Sequence, residues 1–354
     1  MTKVAVAMSG GVDSSVAAAL LKERGYAVVG MMLRLWSEPG TKDSNRCCTP
    51  DAMALARRVA AKLDIPFYVV DAKEIFRKTV VQTFLDGYAS GETPNPCLIC
   101  NRQIRWTFLL EHALALGADL MATGHYARLA WSTDGRVQLR RATDATKDQT
   151  YVLHVLDQAR LKRALFPVGD YLKRDIRVLA GQYGLPTASR KESQDLCFLA
   201  GGNYRDFLRR NSANMPRPGP IVDRGGRVLG EHAGLANYTI GQRKGIGVAG
   251  PFPLYVIEKN ASSNTIVVGA EAELGTRKLV AENVNWVSGS PIGSTMQANV
   301  KTRYTAQEQP AKIVPLGEGD EVEVHFEARQ RDITPGQAAV FYQDDLLLGG
   351  GIIR

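Results

Sequence analysis

Between a short apolar strand, Lys3–Ala7, and the first helical pattern, Asp13–Arg24, the chain carries Ser9-Gly10-Gly11-Val12-Asp13-Ser14-Ser15. No other feature narrows the fold as much. A strand that runs through a glycine turn directly into a helix is the opening unit of an α/β sheet. Glycines let the backbone turn tightly and come close to a ligand. Successive N–H groups and the helix N-terminus then converge on an anion. Ser9, Ser14 and Ser15 add hydroxyl donors, and Asp13 adds a carboxylate where a magnesium ion bound to phosphates would sit. The loop lacks the lysine of a Walker A motif and is not a dinucleotide fingerprint.

The residues that follow keep the alternation. Val16, Leu20 and Leu21 lie near helical spacing and Gly25 stops the helix. Ala27–Leu33 is a continuous apolar run, as expected of a strand buried on both faces. Thr49-Pro50 reads as a cap with proline at the first helical position. Ala52, Leu55, Ala56, Val59, Ala60 and Leu63 then mark one face of a helix. Phe67–Val70 is a third strand, and a later one is expected at Asp119–Thr123, just before Gly124-His125-Tyr126. Strand and helix in alternation imply a parallel, Rossmann-like sheet with helices on both faces and right-handed crossovers. From Tyr151 to Tyr183 the pattern is helical and basic. Near residue 208 the character changes, and Met215-Pro216-Arg217-Pro218-Gly219-Pro220 is a breaker cluster. Beyond it, Tyr255–Glu258, Thr265–Val268, Glu321–Phe326 and Ala338–Tyr342 are short β-like runs. With 354 residues there is room for two or three domains. The expected division is an α/β unit at 1–207, a small β-rich unit at 208–274 and a second at 275–354.

Hydrophobic residues make up 45% and charged residues 23%, which argues against wholesale disorder. No apolar run approaches the roughly 20 residues of a membrane span. The first ten residues turn polar and glycine-rich too early for a signal peptide, so a cytoplasmic protein without membrane contact is expected. The five cysteines are an odd, sparse set, which suits a reducing compartment where thiols serve chemistry, metal or core. Cys97 and Cys100 form a C-x-x-C within Thr93-Pro94-Asn95-Pro96-Cys97-Leu98-Ile99-Cys100-Asn101, and Cys197 lies in Glu192-Ser193-Gln194-Asp195-Leu196-Cys197-Phe198. A lone C-x-x-C suits a redox pair, half a zinc site or part of an iron–sulfur site. A four-cysteine zinc site would need Cys97, Cys100, Cys197 and one of Cys47 or Cys48. Otherwise Cys47-Cys48 are two small half-buried thiols.

The string at 9–14 resembles the pyrophosphate loop of N-type ATP pyrophosphatases. Those enzymes split ATP into AMP and pyrophosphate to adenylate a substrate oxygen in a Rossmann-like sheet. A carbonyl oxygen leaves poorly and AMP leaves readily, so adenylation opens the carbon to attack; magnesium neutralises the charge growing on the pyrophosphate. Several further motifs occur in order: Thr93–Asn101, Ala122-Thr123-Gly124-His125-Tyr126-Ala127-Arg128, Lys147-Asp148-Gln149, Glu192–Phe198, Tyr238–Gly247, Lys301–Tyr304 and Pro335-Gly336-Gln337. With them, the chain resembles the tRNA-specific 2-thiouridylase family over most of its length.

The resemblance implies an ATP- and magnesium-dependent enzyme that replaces the 2-carbonyl oxygen of the wobble uridine with sulfur, in the anticodon loops of tRNAs for Lys, Glu and Gln. It implies a C-terminal β-barrel that grips tRNA. By motif, Cys197 takes up a persulfide from an upstream donor, a cysteine desulfurase or sulfur-relay protein. Cys100 attacks the remaining S–S bond and leaves a Cys100–Cys197 disulfide to be reduced. For ATP the resemblance implicates Ala7, Met8, Ser9, Gly10, Gly11, Val12, Asp13, Ser14, Leu33 and Gly124. For the base and tRNA it implicates Asn95, Pro96, Cys97, His125, Lys147, Asp148, Gln149, Arg303, Tyr304 and Gln337. Thiolate attack needs nearby cations, for which Lys191 and Arg102 are candidates by sequence proximity. Relatives carry Asp at the position of Cys97, so no acid/base role is carried over there. A bound iron–sulfur cluster or metal on Cys97, Cys100 and Cys197 would replace the persulfide cycle.

The chain has 44 Lys plus Arg against 36 Asp plus Glu, a net charge of +8. Residues 157–210 hold 11 basic and 6 acidic side chains, so this stretch is the leading phosphate-binding patch, with Arg160, Lys162, Arg163, Lys173, Arg174 and Arg177. Two rivals remain at this point. Another pyrophosphate-loop ligase, lysidine-synthetase-like or amidotransferase-coupled, needs no thiol pair. A nucleotide-dependent tRNA-binding protein with a structural metal would bind without releasing AMP.

Overall fold

The computed structural model describes residues 1–39, 49–190, 196–199, 203–212, 217–317, 320–331 and 333–354. Cys47-Cys48, Lys191, the 192–195 part of the second cysteine motif and Met215-Pro216 lie outside the described residues.

The first 165 residues supply β1 (Lys3–Ala7), β2 (Ala27–Arg34), β3 (Phe67–Asp71), β4 (Leu120–Thr123), the pair β5 (Arg128–Trp131) and β6 (Val137–Arg140), and β7 (Ala164–Leu165). Five of them form a parallel sheet in the order β3-β2-β1-β4-β7. Side chains alternate across it, so Val4 and Val6 enter one core and Ala5 the opposite one. On the first face lie α1 (Val12–Glu23), α2 (Pro50–Lys62) and the helix Lys173–Gln182. The Thr49 hydroxyl caps α2 by accepting from the Ala52 N–H at 3.0 Å. The opposite face is covered by Trp106, Leu109 and Ala113 of a helical stretch at 96–115 and by Tyr151, Leu153 and Leu161. The sheet is therefore α/β with helices on both sides.

The stretch from Tyr151 to Tyr183 is not continuously helical. It is broken into Thr150–Leu153, Gln158–Leu161, the strand β7 and Lys173–Gln182. Asp157 opens a fresh helix by accepting from the Arg160 N–H at 2.9 Å, and Pro167 cannot continue one.

A four-stranded sheet follows, built from β8 (Gly219–Val222), β9 (Val228–His232), β10 (Tyr255–Asn260) and β11 (Thr265–Gly269) in the order β10-β11-β8-β9. The last unit contains β12 (Thr276–Trp286), β13 (Met296–Lys301), β14 (Gln309–Pro315), β15 (Val322–Gln330), β16 (Ala338–Gln343) and β17 (Leu346–Ile353). Each pairs antiparallel with its neighbours, and β12 also pairs β17, which closes a six-stranded barrel. The β5–β6 hairpin, which sequence periodicity did not reveal, adds to this sheet beside β17. Asp345 fixes the join, accepting from Arg128 at 3.0 Å and Arg140 at 2.9 Å. One apolar core consequently runs from Ala5 and Val29 through Tyr151 to Val340 and Tyr342 of the barrel. Among the described residues no helix is long and apolar enough to cross a membrane.

Candidate functional site

At the carboxyl edge of the parallel sheet, where ligands of open α/β folds bind, β1 gives way to the glycine loop. Gly10 has a φ of +70°, and a Cβ there would meet the Ala52 carbonyl oxygen at 2.5 Å. The loop is tied internally: the Ser9 N–H donates to Ser14 Oγ at 3.2 Å, and Ser15 Oγ donates to the Gly11 carbonyl at 2.8 Å. The Met8 N–H donates to the Met31 carbonyl at 2.7 Å, and Val12 is buried in the first turn of α1. Gly124, just past β4, presses on this loop. A Cβ there would lie 2.6 Å from the Ser14 nitrogen. Ala7, Leu33 and Gly124 thus sit at the ends of three strands around one loop, with Leu33 half-buried on β2.

Asp13 is engaged twice. Lys173 Nζ donates to its two carboxylate oxygens at 2.6 and 2.8 Å, and the Tyr126 hydroxyl donates to it at 2.9 Å. Lys173 is itself buried, with its N–H on Asp144 at 2.9 Å. The Arg190 guanidinium donates to the Gly10 carbonyl at 2.7 Å. Tyr126, Lys173 and Arg190 were not singled out for this loop by the sequence. Tyr126 stands inside the quoted motif. For Lys173, no linear signal reveals a partner so distant in sequence.

His125 joins the nucleotide loop to the first cysteine motif. Its Nε2 is 3.2 Å from Arg105 Nη1 and its Nδ1 is 2.8 Å from Thr123 Oγ1. A guanidinium only donates, so Nε2 accepts and Nδ1 carries the proton toward Thr123. Burial, reinforced by the Arg105 charge, pushes the imidazole down to about 3, so it is neutral at working pH. Arg105 also donates to Asn101 Oδ1 at 3.1 Å, and Asn101 is buried beside Cys100 in sequence.

Asn95 caps the short helix Pro96–Ile99 by accepting from the Cys97 N–H at 3.1 Å. Cys97 is exposed, while Cys100 is buried at the start of a π-helical stretch, Cys100–Leu109. Such stretches are rare and frequent at functional sites. Cys197 is half-buried on the short turn Cys197–Leu199, whose Phe198 is locked by ring contacts to Phe76, Phe84 and Phe207 at 6.1, 5.2 and 5.3 Å. Cys100 belongs to that same apolar cluster and Cys197 packs against it. The two thiols, far apart in sequence, therefore border one apolar cluster; neither is in a disulfide.

Among the described residues no three His, Cys, Asp or Glu side chains are grouped so as to hold a metal ion. Cys97, Cys100 and Cys197 are accordingly not gathered into a ligand set. Cys97 is exposed and Cys100 is buried. The four-cysteine zinc site would also need Cys47 or Cys48, which lie outside the described residues.

The remaining candidates gather where the barrel meets the sheet. Gln149 and Tyr126 exchange hydrogen bonds, the Gln149 N–H donating at 2.9 Å and the Tyr126 N–H donating to Gln149 Oε1 at 3.0 Å. Asp148 accepts from the Ala142 N–H at 3.0 Å, and the Lys147 N–H donates to the Asp144 carbonyl at 3.0 Å. Tyr304 reaches this segment by donating to the Asp148 carbonyl at 3.4 Å. Burial first, then the Asp148 charge, raises the Tyr304 hydroxyl above its ordinary value, and Cys97 is near enough to push the same way. Arg303 donates to Thr334 Oγ1 and, at 3.4 Å, to the Ile240 carbonyl. Gln337 Nε2 donates to the Thr93 carbonyl at 2.6 Å, tying the segment before the C-x-x-C to the barrel.

The basic stretch is not one surface. Arg160 binds the Trp106 carbonyl and Thr107, Arg177 binds the Ala188 and Arg190 carbonyls, and Lys173 serves Asp13. Lys162, Arg163 and Arg174 remain exposed. Arg102 is exposed too, and its charge is felt at His154.

A family model described as the tRNA methyl transferase HUP domain matches residues 2–201, one described as the tRNA methyl transferase PRC-barrel domain matches 205–270, and one described as the aminomethyltransferase beta-barrel domain matches 276–353. The tRNA-specific 2-thiouridylase MnmA of Chloroflexus aurantiacus is 47% identical over 100% of this chain and 98% of its own. That of Moorella thermoacetica is 46% identical over 99% of this chain and 98% of its own. Among solved structures, the U34-tRNA thiolase NcsA from Methanococcus maripaludis aligns at 20% identity over 60% of this chain and 67% of that one, with a TM-score of 0.36, a likeness too distant to transfer chemistry.

Proposed function

The chain belongs to the tRNA-specific 2-thiouridylase family, and from that premise we propose that it replaces the 2-oxygen of the wobble uridine with sulfur in tRNAs for Lys, Glu and Gln. The observation that supports this most is the shared cluster of Cys100 and Cys197 beside a sheet whose edge carries the pyrophosphate loop.

The steps balance as follows. The uridine 2-oxygen attacks the α-phosphorus of ATP; the new O–P bond forms as the bond to pyrophosphate breaks. The loop from Ser9 to Ser14 receives the departing pyrophosphate with its N–H and hydroxyl donors and the N-terminus of α1. A Cys197 persulfide, loaded by a cysteine desulfurase or sulfur-relay protein, presents its terminal sulfur to C2, and AMP leaves with the oxygen. Cys100 then attacks the Cys197 sulfur. The S–S bond to the base breaks, the base keeps the sulfur as 2-thiouridine, and an external thiol reduces the Cys100–Cys197 disulfide.

Asp13, once its carboxylate is released from Lys173, would with Ser9 and Ser14 supply hard oxygen ligands of the kind magnesium accepts, and the ion would neutralise phosphate charge when bound. The described cysteines do not fit an iron–sulfur cluster, and no step runs through one. His125, held by Arg105 and Thr123, is placed with the residues that would meet the base and tRNA. Asn95, Pro96 and Cys97, with Lys147, Asp148, Gln149, Arg303, Tyr304 and Gln337, form the surface on which the splayed anticodon base would lie.

The test incubates the protein with ATP, magnesium, a persulfide donor and unmodified tRNA, then digests the RNA for mass analysis. 2-Thiouridine is expected from the wild type and is lost in Cys100→Ser and Cys197→Ser, with nucleotide binding retained. A product that forms equally well without either thiol would overturn the reading in favour of a different adenylating ligase.

A further inference from the structure

We propose that a cavity of about 450 Å³ between the helix Tyr204–Asn211 and the loop 233–245 is a subsite for a sugar–phosphate unit of the tRNA substrate. The proposal rests on the tRNA reading above and adds to it a contact region in the central β-rich unit.

The cavity is lined by Arg205, Arg209 and Lys244 together with Asn237, Tyr238 and Gln242, with no carboxylate among the described lining residues. Its volume is that of a small-molecule site, so a nucleotide unit fits as well as a bare ion. Arg205 is held in place from two sides. Its Nη2 donates to the Asn237 carbonyl at 2.8 Å, and its guanidinium stands 5.4 Å from the Tyr204 ring centroid. Its Nε is nevertheless buried with no hydrogen-bond partner among the described residues. That nitrogen is closed to solvent, so what Arg205 brings to the cavity is its guanidinium charge, which no carboxylate among the described lining residues offsets.

The rest of the lining is consistent with the same ligand. Among the described residues Arg209 pairs with Asp206, at 3.4 Å, with both side chains about half exposed, a weak pair that can open for a stronger anion. Lys244 stands exposed at the rim. Gln242 braces the loop, accepting from the Thr239 N–H at 3.1 Å and donating to the Lys244 carbonyl at 2.9 Å. Guanidinium, ammonium, amide and phenol groups around one opening are the usual partners of phosphate and sugar.

Position favours RNA over an acidic protein. The Ile240 carbonyl, in the same loop, receives Arg303, which adjoins Tyr304 on the proposed base-facing surface. On the opposite side of the helix, Phe207 packs on Phe198, the residue after Cys197. The cavity therefore continues the surface along which a tRNA bound at the thiols would run.

The experiment measures binding of unmodified tRNA to the full chain across a salt series, for the wild type, R209A/K244A and R209K/K244R. Loss of the two contacts is expected to raise Kd by roughly tenfold at moderate salt. It should also make the slope of log K against log salt shallower by about 1 to 2. R209K/K244R is expected to keep both, because the charges remain. An unchanged Kd and slope in R209A/K244A, with normal wild-type binding, would overturn the subsite alone. Failure of the wild type to bind tRNA would overturn the parent reading as well. If R209A/K244A bound tRNA normally but lost sulfur uptake from a persulfide donor protein, while still using free sulfide, the cavity would dock a protein and the RNA subsite would be wrong.

Discussion

The pyrophosphate loop and the thiol site differ in how they are made. The loop's internal ties come from neighbours a few residues away, Ser9 on Ser14 and Ser15 on Gly11 with one glycine at positive φ, while Gly124, Lys173 and Arg190 pack on it from a distance. The thiol site has no such local cause. Cys100 comes from a π-helical stretch, Cys197 from a three-residue turn, and the cluster that unites them draws on Leu35, Phe76, Phe84 and Phe207. The loop's turn is thus largely made within one strand–turn–helix unit, whereas the thiol site exists only once distant segments have packed. The two should fail separately.

Phe198→Ala is the sharpest way to separate them. It removes a fully buried ring with three aromatic neighbours, a change that costs about 3–5 kcal/mol when the site cannot collapse. The turn carrying Cys197 is expected to undock, so thiolation falls to background while ATP binding, measured by equilibrium titration, stays near the wild-type value. A parallel loss of nucleotide affinity would show that loop and cluster are one cooperative unit.

Gly124→Ala strikes from the other side. Its new methyl would sit 2.6 Å from the Ser14 nitrogen and 2.8 Å from the Asp13 carbonyl carbon, both backbone atoms that cannot swing away. Overpacking of this kind costs about 1–3 kcal/mol. Nucleotide affinity should drop with the loop's distortion, while alkylation rates of Cys100 and Cys197 stay unchanged. Altered thiol reactivity would mean that the loop's strain reaches the cluster.

The same contrast explains what could be read from the chain. The strands at Lys3–Ala7 and Ala27–Arg34, the capped helix at Thr49-Pro50 and the glycine loop all follow local rules, and the structure has them. Lys173 looked like one of several surface cations because a lysine's partner lies outside any sequence window; folding buries it on Asp13. The β5–β6 hairpin escaped because its strands are four residues long and rest on Asp345 of the barrel, so their stability is borrowed from a distant strand. The two cysteines were paired by family resemblance, not by spacing, since nothing local joins position 100 to position 197.

A titration probes the seam between the two sites. Burial pushes His125 down to about 3 and His154 down to about 4. An unfolded chain takes up a proton at each near pH 6.5, whereas the folded protein does not until much lower pH. Between those limits the unfolded state binds more protons, so stability falls as pH falls, by up to about 1.4 kcal/mol per pH unit for each histidine. Denaturant midpoints measured from pH 7 to pH 4 should decline, and His125→Asn should flatten the decline. A slope unaltered by that change would mean that His125 is protonated in the folded state, and with it the assigned tautomer would fall.

The smallest effect tests the strap between the first unit and the barrel. Gln337 Nε2 donates to the Thr93 carbonyl at 2.6 Å, and the Thr93 N–H donates to the Pro335 carbonyl at 2.9 Å, so the chain just before the C-x-x-C is held from both sides. Gln337→Ala removes one of these bonds, worth about 1 kcal/mol. The strap touches neither the loop nor the aromatic cluster, so KM for ATP and the reactivity of Cys197 should not move. What loosens is the alignment of Asn95 to Cys97 against the barrel, and KM for tRNA should rise by about fivefold at nearly constant kcat. A fall in kcat at saturating tRNA would instead mean that the strap also sets the attack geometry, and the thiol site would then depend on the barrel as well as on its own cluster.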